Sequence, residues 1–320
     1  MLAVLFALLS AATFGLTNAT ARRGVITGTV TQVVGVSMPI GLVMFAAAAV
    51  VAGQIGRIAD FSPAELGMLA AAGVIHFVLG RYCGYRSMQA MGANLAGLVQ
   101  QWSLLVTLMF AITVLSERLD VLKLLGIGLL MVGPAMANAS SARNRQPGAF
   151  KPRLLEGWTF ALLSCLFWGS SPVLVRAVVG GTDRALAGGV VSYGAATLVV
   201  AFLFLSPAAR RDASSMDRES FKWGAWAGVL VCLSQIFHYL ALSLAPLTLT
   251  QPLMQLQTLF RTLFGWVINR DHEVYSGAVM AALAISLVGA VLVTLNPLAV
   301  IEWLDPAPWL ERLLRWRWPA

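Results

Sequence analysis

Ten side chains able to do chemistry lie inside long apolar stretches of this sequence: His76, Arg81, Gln100, Trp168, Gln235, His238, Tyr239, Gln251, Gln255 and Arg261. Several keep helical spacing. Thr248, Gln251, Gln255, Thr258 and Thr262 recur at steps of 3, 4, 3 and 4, which puts them on one narrow face of a helix. Gln235, His238 and Tyr239 stand at i, i+3 and i+4. A primary amide offers two donors and one acceptor, more than a neighbouring apolar helix satisfies. A guanidinium fork matches a carboxylate or phosphate with paired hydrogen bonds. Imidazole titrates near neutrality, so if protons take part, His76 or His238 must carry them. Amides and aromatics facing one space, with a cation beside them, make a binding site for a small polar solute.

Each feature also has a plainer reading. Polar side chains in apolar helices pack helix against helix, and this suffices for Ser10, Thr13 and Thr17 and for Ser164 and Ser171. An arginine near a helix end can snorkel its charge to the surface. A lone histidine is commonly a hydrogen-bonded packing residue. The charge asymmetry is harder to dismiss. Arg81 and Arg261 fall inside apolar stretches, whereas every Asp and Glu sits at a stretch end or in a connection. Glu117 and Glu273 read as such boundary residues, which cap or pair rather than bind solute.

Catalytic chemistry finds no support. There is no HExxH, no nucleophile elbow and no Cys/His metal spacing. Cys83, Cys165 and Cys232 all lie in apolar segments and read as packing residues. No catalytic residue, metal or cofactor is expected. The Lys and Arg residues behind the net charge of +8 lie between apolar runs, a topology signal rather than a nucleic-acid surface.

The elements that must position these side chains are membrane helices. The chain has 320 residues, 58% hydrophobic and only 11% charged, with a mean hydropathy of +0.79. Soluble domains carry roughly 25% charged residues. Runs of about 20 apolar residues predict ten spans, near 1–21, 31–53, 66–88, 93–115, 121–139, 157–177, 186–206, 223–245, 247–268 and 275–296. A polar linker at 140–156 divides them five and five. The tail 297–320, with four Trp and with Arg312, Arg315 and Arg317, is too short and charged to span and reads as an interfacial anchor.

The two halves repeat. "FALLSAATFG" begins at Phe6 and "FALLSCLFWG" at Phe160, an offset of 160 − 6 = 154. Gly73 stands opposite Gly228 and Gln100 opposite Gln255, both at offset 155; Glu117 stands opposite Glu273 and Gly133 opposite Gly289, both at 156. An odd number of spans per copy makes the second copy enter the membrane from the other side. The expected fold is therefore an all-α polytopic membrane protein of ten transmembrane helices in two inverted five-helix repeats, 1–139 and 157–296.

The sequence resembles the drug/metabolite transporter superfamily, in particular its ten-helix EamA-type members. The resemblance is carried by "WGSSPVLVR", by "GANLAGLVQQWSLLVTLMFAITVLSERL" with Glu117, and by "APLTLTQPLMQLQTLFRTLFGWVINRDHE". The family's usual Pro in the fourth helix is absent; Trp102 and Ser103 occupy that neighbourhood. The resemblance implies a multi-pass protein of the plasma membrane, the inner membrane in a bacterium. It implies a secondary transporter, an exporter or exchanger of small metabolites such as amino acids, working by alternating access around a cavity between the halves. Expected partners are a small-molecule substrate and the lipid bilayer, without nucleic acid, in a monomer or weak dimer. With two deep cations and no deep anion, the solute is expected to be neutral, zwitterionic or anionic. The alternatives are a membrane-embedded enzyme or a multidrug exporter of the same fold.

Overall fold

The computed structural model describes residues 1–27, 29–91, 93–143, 153–268, 277–304 and 306–319. Almost all of them are helical. The first half holds α1 (Leu2–Thr27), α2 (Val30–Val51), α3 (Pro63–Gly73), α4 (Arg81–Met91), α5 (Ala93–Gln100), α6 (Ser103–Leu115), the two-residue strand β1 (Leu119–Asp120) and α7 (Val121–Arg143). The second half holds α8 (Leu154–Val179), α9 (Ala185–Leu203), α10 (Pro207–Ser214), α11 (Arg218–Leu244), α12 (Leu247–Met254), α13 (Gln257–Ile268) and α14 (Gly277–Thr294). The tail adds α15 (Pro297–Leu304), α16 (Pro308–Arg315) and β2 (Arg317–Trp318).

Local chemistry sets the helix starts. Thr29 and Gln32 form a capping box at α2, and Ser62 and Glu65 form another at α3, where Pro63 supplies a preset first turn. The Asp217 carboxylate accepts the Ser220 amide at 2.8 Å and caps α11. Among the described residues, five stretches are long and apolar enough to cross a membrane: Thr31–Val51, Pro63–Met91, Leu154–Val179, Ala185–Leu203 and Arg218–Leu244. Leu2–Thr17, Ser103–Leu115 and Val121–Gly133 are shorter apolar helices. The chain is a multi-pass membrane protein.

Two expected spans are broken. The stretch 93–115 divides at Gln101 and Trp102, where Trp102 N donates to Val99 O at 2.9 Å. The stretch 247–268 divides at Gln255 and Leu256, where Leu256 N donates to Leu253 O at 3.1 Å. Tightened i→i+3 bonds interrupt each helix at the same place in its half. Pro252 precedes the second break by three residues, inside the last turn of α12. The first break has no proline. A further departure is the π-helical turn Val74–Gly80, which joins α3 to α4 within one continuous stretch.

Helix packing pairs the two halves throughout. α1 packs on α11 as α8 packs on α3 and α4; α1 packs on α12 and α13 as α8 packs on α5 and α6; α2 packs on α11 as α9 packs on α3. The remaining large contacts are α2 with α9 and α7 with α14. In the α7/α14 crossing, Gly126 meets Gly289 and Gly133 meets Ala282 and Ser286, so rising number on one helix meets falling number on the other. In the α2/α9 crossing, Gly35 meets Phe204, Gly41 meets Tyr193 and Phe45 meets Gly189. Both pairs run antiparallel. These glycines matter because a Cβ at Gly289 would lie 2.8 Å from the Gly126 carbonyl oxygen, inside van der Waals contact.

Glu117 has a boundary role. Its carboxylate accepts the amides of Leu247 and Thr248, both at 2.8 Å, and so caps α12 from the other half of the chain. Glu273 lies outside the described residues. Arg176, near the end of an expected span, turns inward and donates to the carbonyls of Leu242 and Ser243 at the end of α11. The elbow between α11 and α12 is thus held by a cation on its carbonyl side and an anion on its amide side.

Candidate functional site

The π turn brings His76 and Phe77 to the centre of the helix bundle and places Arg81 at the next helix start. Its flanks are fixed by close approaches: Gly73 lies against the Ser192 backbone, and Gly80 and Gly84 receive the Trp168 indole. π turns recur at functional sites because they offset a few side chains from the regular ladder.

Two imidazole–amide pairs occupy this centre. His76 Nδ1 lies 2.6 Å from Ser171 Oγ on α8, and its Nε2 lies 3.2 Å from Gln235 Nε2 on α11. An amide nitrogen only donates, so His76 Nε2 accepts and Nδ1 carries the ring proton toward the serine. His238 Nε2 lies 2.7 Å from Gln251 Nε2 on α12, which gives the same assignment there.

Arg81 is 7% exposed. Its Nη1 donates to Ser37 Oγ on α2 at 2.9 Å, and its guanidinium lies 5.8 Å from the Phe77 ring centroid. The Tyr193 hydroxyl faces the same guanidinium and interacts with it. Among the described residues no carboxylate lies within ion-pair distance of Arg81. A guanidinium held by one hydroxyl and one ring face keeps donors free for a further acceptor.

The centre is closed. About 10 Å³ of open space remains among Ala72, His76, Phe77, Ser171, Gln235, His238 and Tyr239, about the room one water needs. Phe77 and Tyr193 pack at 4.1 Å between ring centroids, and Phe45 joins Tyr239 edge-on at 5.4 Å. A larger cleft of about 650 Å³ opens at one end of α2 and α11, lined by Gln32, Val36, Phe204, Met216, Arg218 and Phe221. Its wall on α2 continues to Ser37, the Arg81 partner, five residues or about 7.5 Å beyond Gln32.

The residues singled out in the sequence fall into three places. His76, Gln235, His238 and Tyr239 border the central space, with Arg81 beside it and Gln251 joined through His238. Trp168 lies behind the π turn and donates from Nε1 to the His76 carbonyl at 3.2 Å. Gln100 and Gln255 do not border that space. Gln100 donates to Gly84 O at 3.2 Å and to Ser87 Oγ at 3.0 Å. Gln255 reaches Gln101 O at 3.5 Å, so the two helix breaks touch each other. Arg261 belongs to α13, but its side chain lies outside the described residues. Ser37, Phe77 and Tyr193 join the site without having been marked by sequence; a tyrosine hydroxyl in mid-span was the available signal.

Residues 1–139 match the EamA-like transporter family, which lies in the drug/metabolite transporter superfamily. No curated protein matches the sequence. A solved structure described only as "Crystal structure of protein" shares the fold at a TM-score of 0.70, with 16% identity, over 95% of this chain and 98% of its own.

Proposed function

We propose, from the premise that residues 1–139 are an EamA-like unit of the drug/metabolite transporter superfamily, that the protein is a secondary transporter of a small metabolite bearing a carboxylate. The observation that carries this reading is the buried Arg81, held by Ser37 and Phe77 without a neighbouring carboxylate among the described residues. A charge costs about 3 kcal/mol on insertion scales near a helix centre, so a site retains one there for a reason. An anionic or zwitterionic solute supplies the missing counter-charge. His76, Gln235, Gln251 and Tyr239 orient the rest of it by hydrogen bonds and ring contact.

The architecture in this reading is ten spans in two inverted repeats. Support comes from the contacts that recur with the halves exchanged, and from the antiparallel α2/α9 and α7/α14 pairs. The helix breaks at corresponding positions add to it, because interrupted helices flank the sites of many inverted-repeat transporters. The closed centre is then an occluded state, and the cleft beside Gln32 is one approach to it. Counterflow in liposomes tests the reading: a carboxylate-bearing solute should exchange, and a quaternary ammonium should not. Efficient transport of the permanent cation would end it.

Protons need not move with the solute. Protonating His76 would add a second cation near Arg81, and protonating either ring would require its glutamine partner to turn its amide oxygen toward it. Counterflow is therefore expected to vary less than about threefold between pH 6 and 8, without acidification of the vesicle lumen reported by a trapped dye. A lumen pH change in step with solute uptake would instead assign the proton to one of these rings.

A further inference from the structure

The C-terminal tail makes more contact with the transport domain than an anchor requires. α15 turns 91° from α14, so if α14 crosses the bilayer, α15 runs along its surface. Trp303 is 83% exposed and Trp309 65%, while only Leu314 of α16 is buried, where that helix packs on α7. The chain then pairs as a short ribbon, Arg317 with Asp120 and Trp318 with Leu119. Two residues before Leu119 stands Glu117, whose carboxylate caps α12.

Charge and aromatic content define what this surface fits. Trp309, Trp316 and Trp318 are exposed, as rings seated at headgroup depth are. The described tail holds Arg312, Arg315 and Arg317 with only two acids, Glu302 and Glu311, and among the described residues only Arg315 of the three forms an ion pair, at 2.8 Å to Glu311. The Arg312 Nε donates to its own helix at Pro308 O, and Arg317 to Leu314 O and Trp316 O. Two cations without a carboxylate partner among the described residues, set in an aromatic surface in the interface plane, match an anionic phospholipid headgroup.

We propose that the tail 308–319 docks anionic phospholipid and, through its ribbon with Leu119–Asp120, straps the Glu117 loop onto the start of α12. Lipid charge then biases the elbow between α11 and α12, where Arg176 holds the opposite side. The proposal rests on membrane placement alone and not on the identity of the solute.

The test uses the full-length protein in nanodiscs of phosphatidylcholine, with and without one third phosphatidylglycerol. Melting temperature and backbone hydrogen exchange of segment 244–254 are the readouts. Phosphatidylglycerol should raise the melting temperature by several degrees and slow exchange of 244–254 several-fold. The triple variant Arg312→Gln, Arg315→Gln, Arg317→Gln should lose both increments while matching the wild type in phosphatidylcholine. If the triple variant fails to fold, Arg312→Gln, which gives up only an own-helix carbonyl contact, should lose part of each. Equal behaviour in the two lipids, or an increment that survives in the neutralised variants, overturns the proposal. A melting response without an exchange response at 244–254 overturns the strap.

Discussion

Arg81→Gln is expected to lower counterflow of a carboxylate-bearing solute by about 100-fold while leaving the melting temperature unchanged or higher. The two effects have different origins. Charge-assisted hydrogen bonds to a carboxylate are worth about 1.5–3 kcal/mol, or roughly 10- to 150-fold in affinity. Glutamine keeps a polar amide but is two bonds shorter than arginine, and it brings no charge and no fork. Stability should move the other way, because a buried charge without a counter-charge is a burden on the folded state. Arg81→Lys keeps the charge and should recover part of the transport, limited by its single donating centre. If instead Arg81 serves only to tie α4 to α2 through Ser37, both variants will lower the melting temperature together with expression, and Ser37→Ala will do the same. A melt in detergent beside a liposome assay separates these outcomes. Transport that survives Arg81→Gln at near wild-type rate would remove this residue from the site.

Some of this site could be read from residue types, and some could not. Arg81, Gln235 and the two histidines stand out because ionisable or amide groups in an apolar run demand partners. Their partners on α8 and α12, Ser171 and Gln251, are set by packing between the helices. The π turn that aims His76 is not legible, because "VIHFVLG" reads as an ordinary apolar helix. Gln100 illustrates the limit of stripe arguments. It matches Gln255 by offset, yet the break at Gln101–Trp102 turns it toward Gly84 and Ser87, and the Gln101 carbonyl meets Gln255 instead. The first break carries no proline, so nothing local announces it. Arg176 and Glu117 were visible only as charges at span ends; the elbow they hold is created by tertiary contact and leaves no periodic trace.

Gly289→Leu is expected to be the most damaging single substitution in the α7/α14 pair. The reason is the geometry of an antiparallel crossing of two backbones. A Cβ at Gly289 would lie 2.8 Å from Gly126 O and 3.0 Å from Leu130 N, and one at Gly126 would lie 2.6 Å from Gly289 O. Those neighbours are backbone, so no rotamer change relieves the contact, and the helices must separate. In lipid the loss is not offset by exclusion from water, since packing itself drives helix association. Even Gly289→Ala should cost about 1–3 kcal/mol, as overpacking does in well-filled interiors. Leucine should lower the apparent melting temperature by more than 10 °C, or about five kcal/mol at some 2 °C per kcal/mol for a chain of this length. Gly133 extends the argument to the repeat. It stands 289 − 133 = 156 residues before Gly289 and meets Ala282 O at 2.8 Å, while Ala282 in turn stands 282 − 126 = 156 residues after Gly126. The two contacts therefore exchange when the halves are swapped, and Gly133→Ala should match Gly289→Ala within about 1 kcal/mol, a margin set by local context. Thermal melts of the two alanine variants in one detergent decide it. A Gly289→Leu protein that melts within a few degrees of wild type would mean that α7 and α14 do not cross at these glycines.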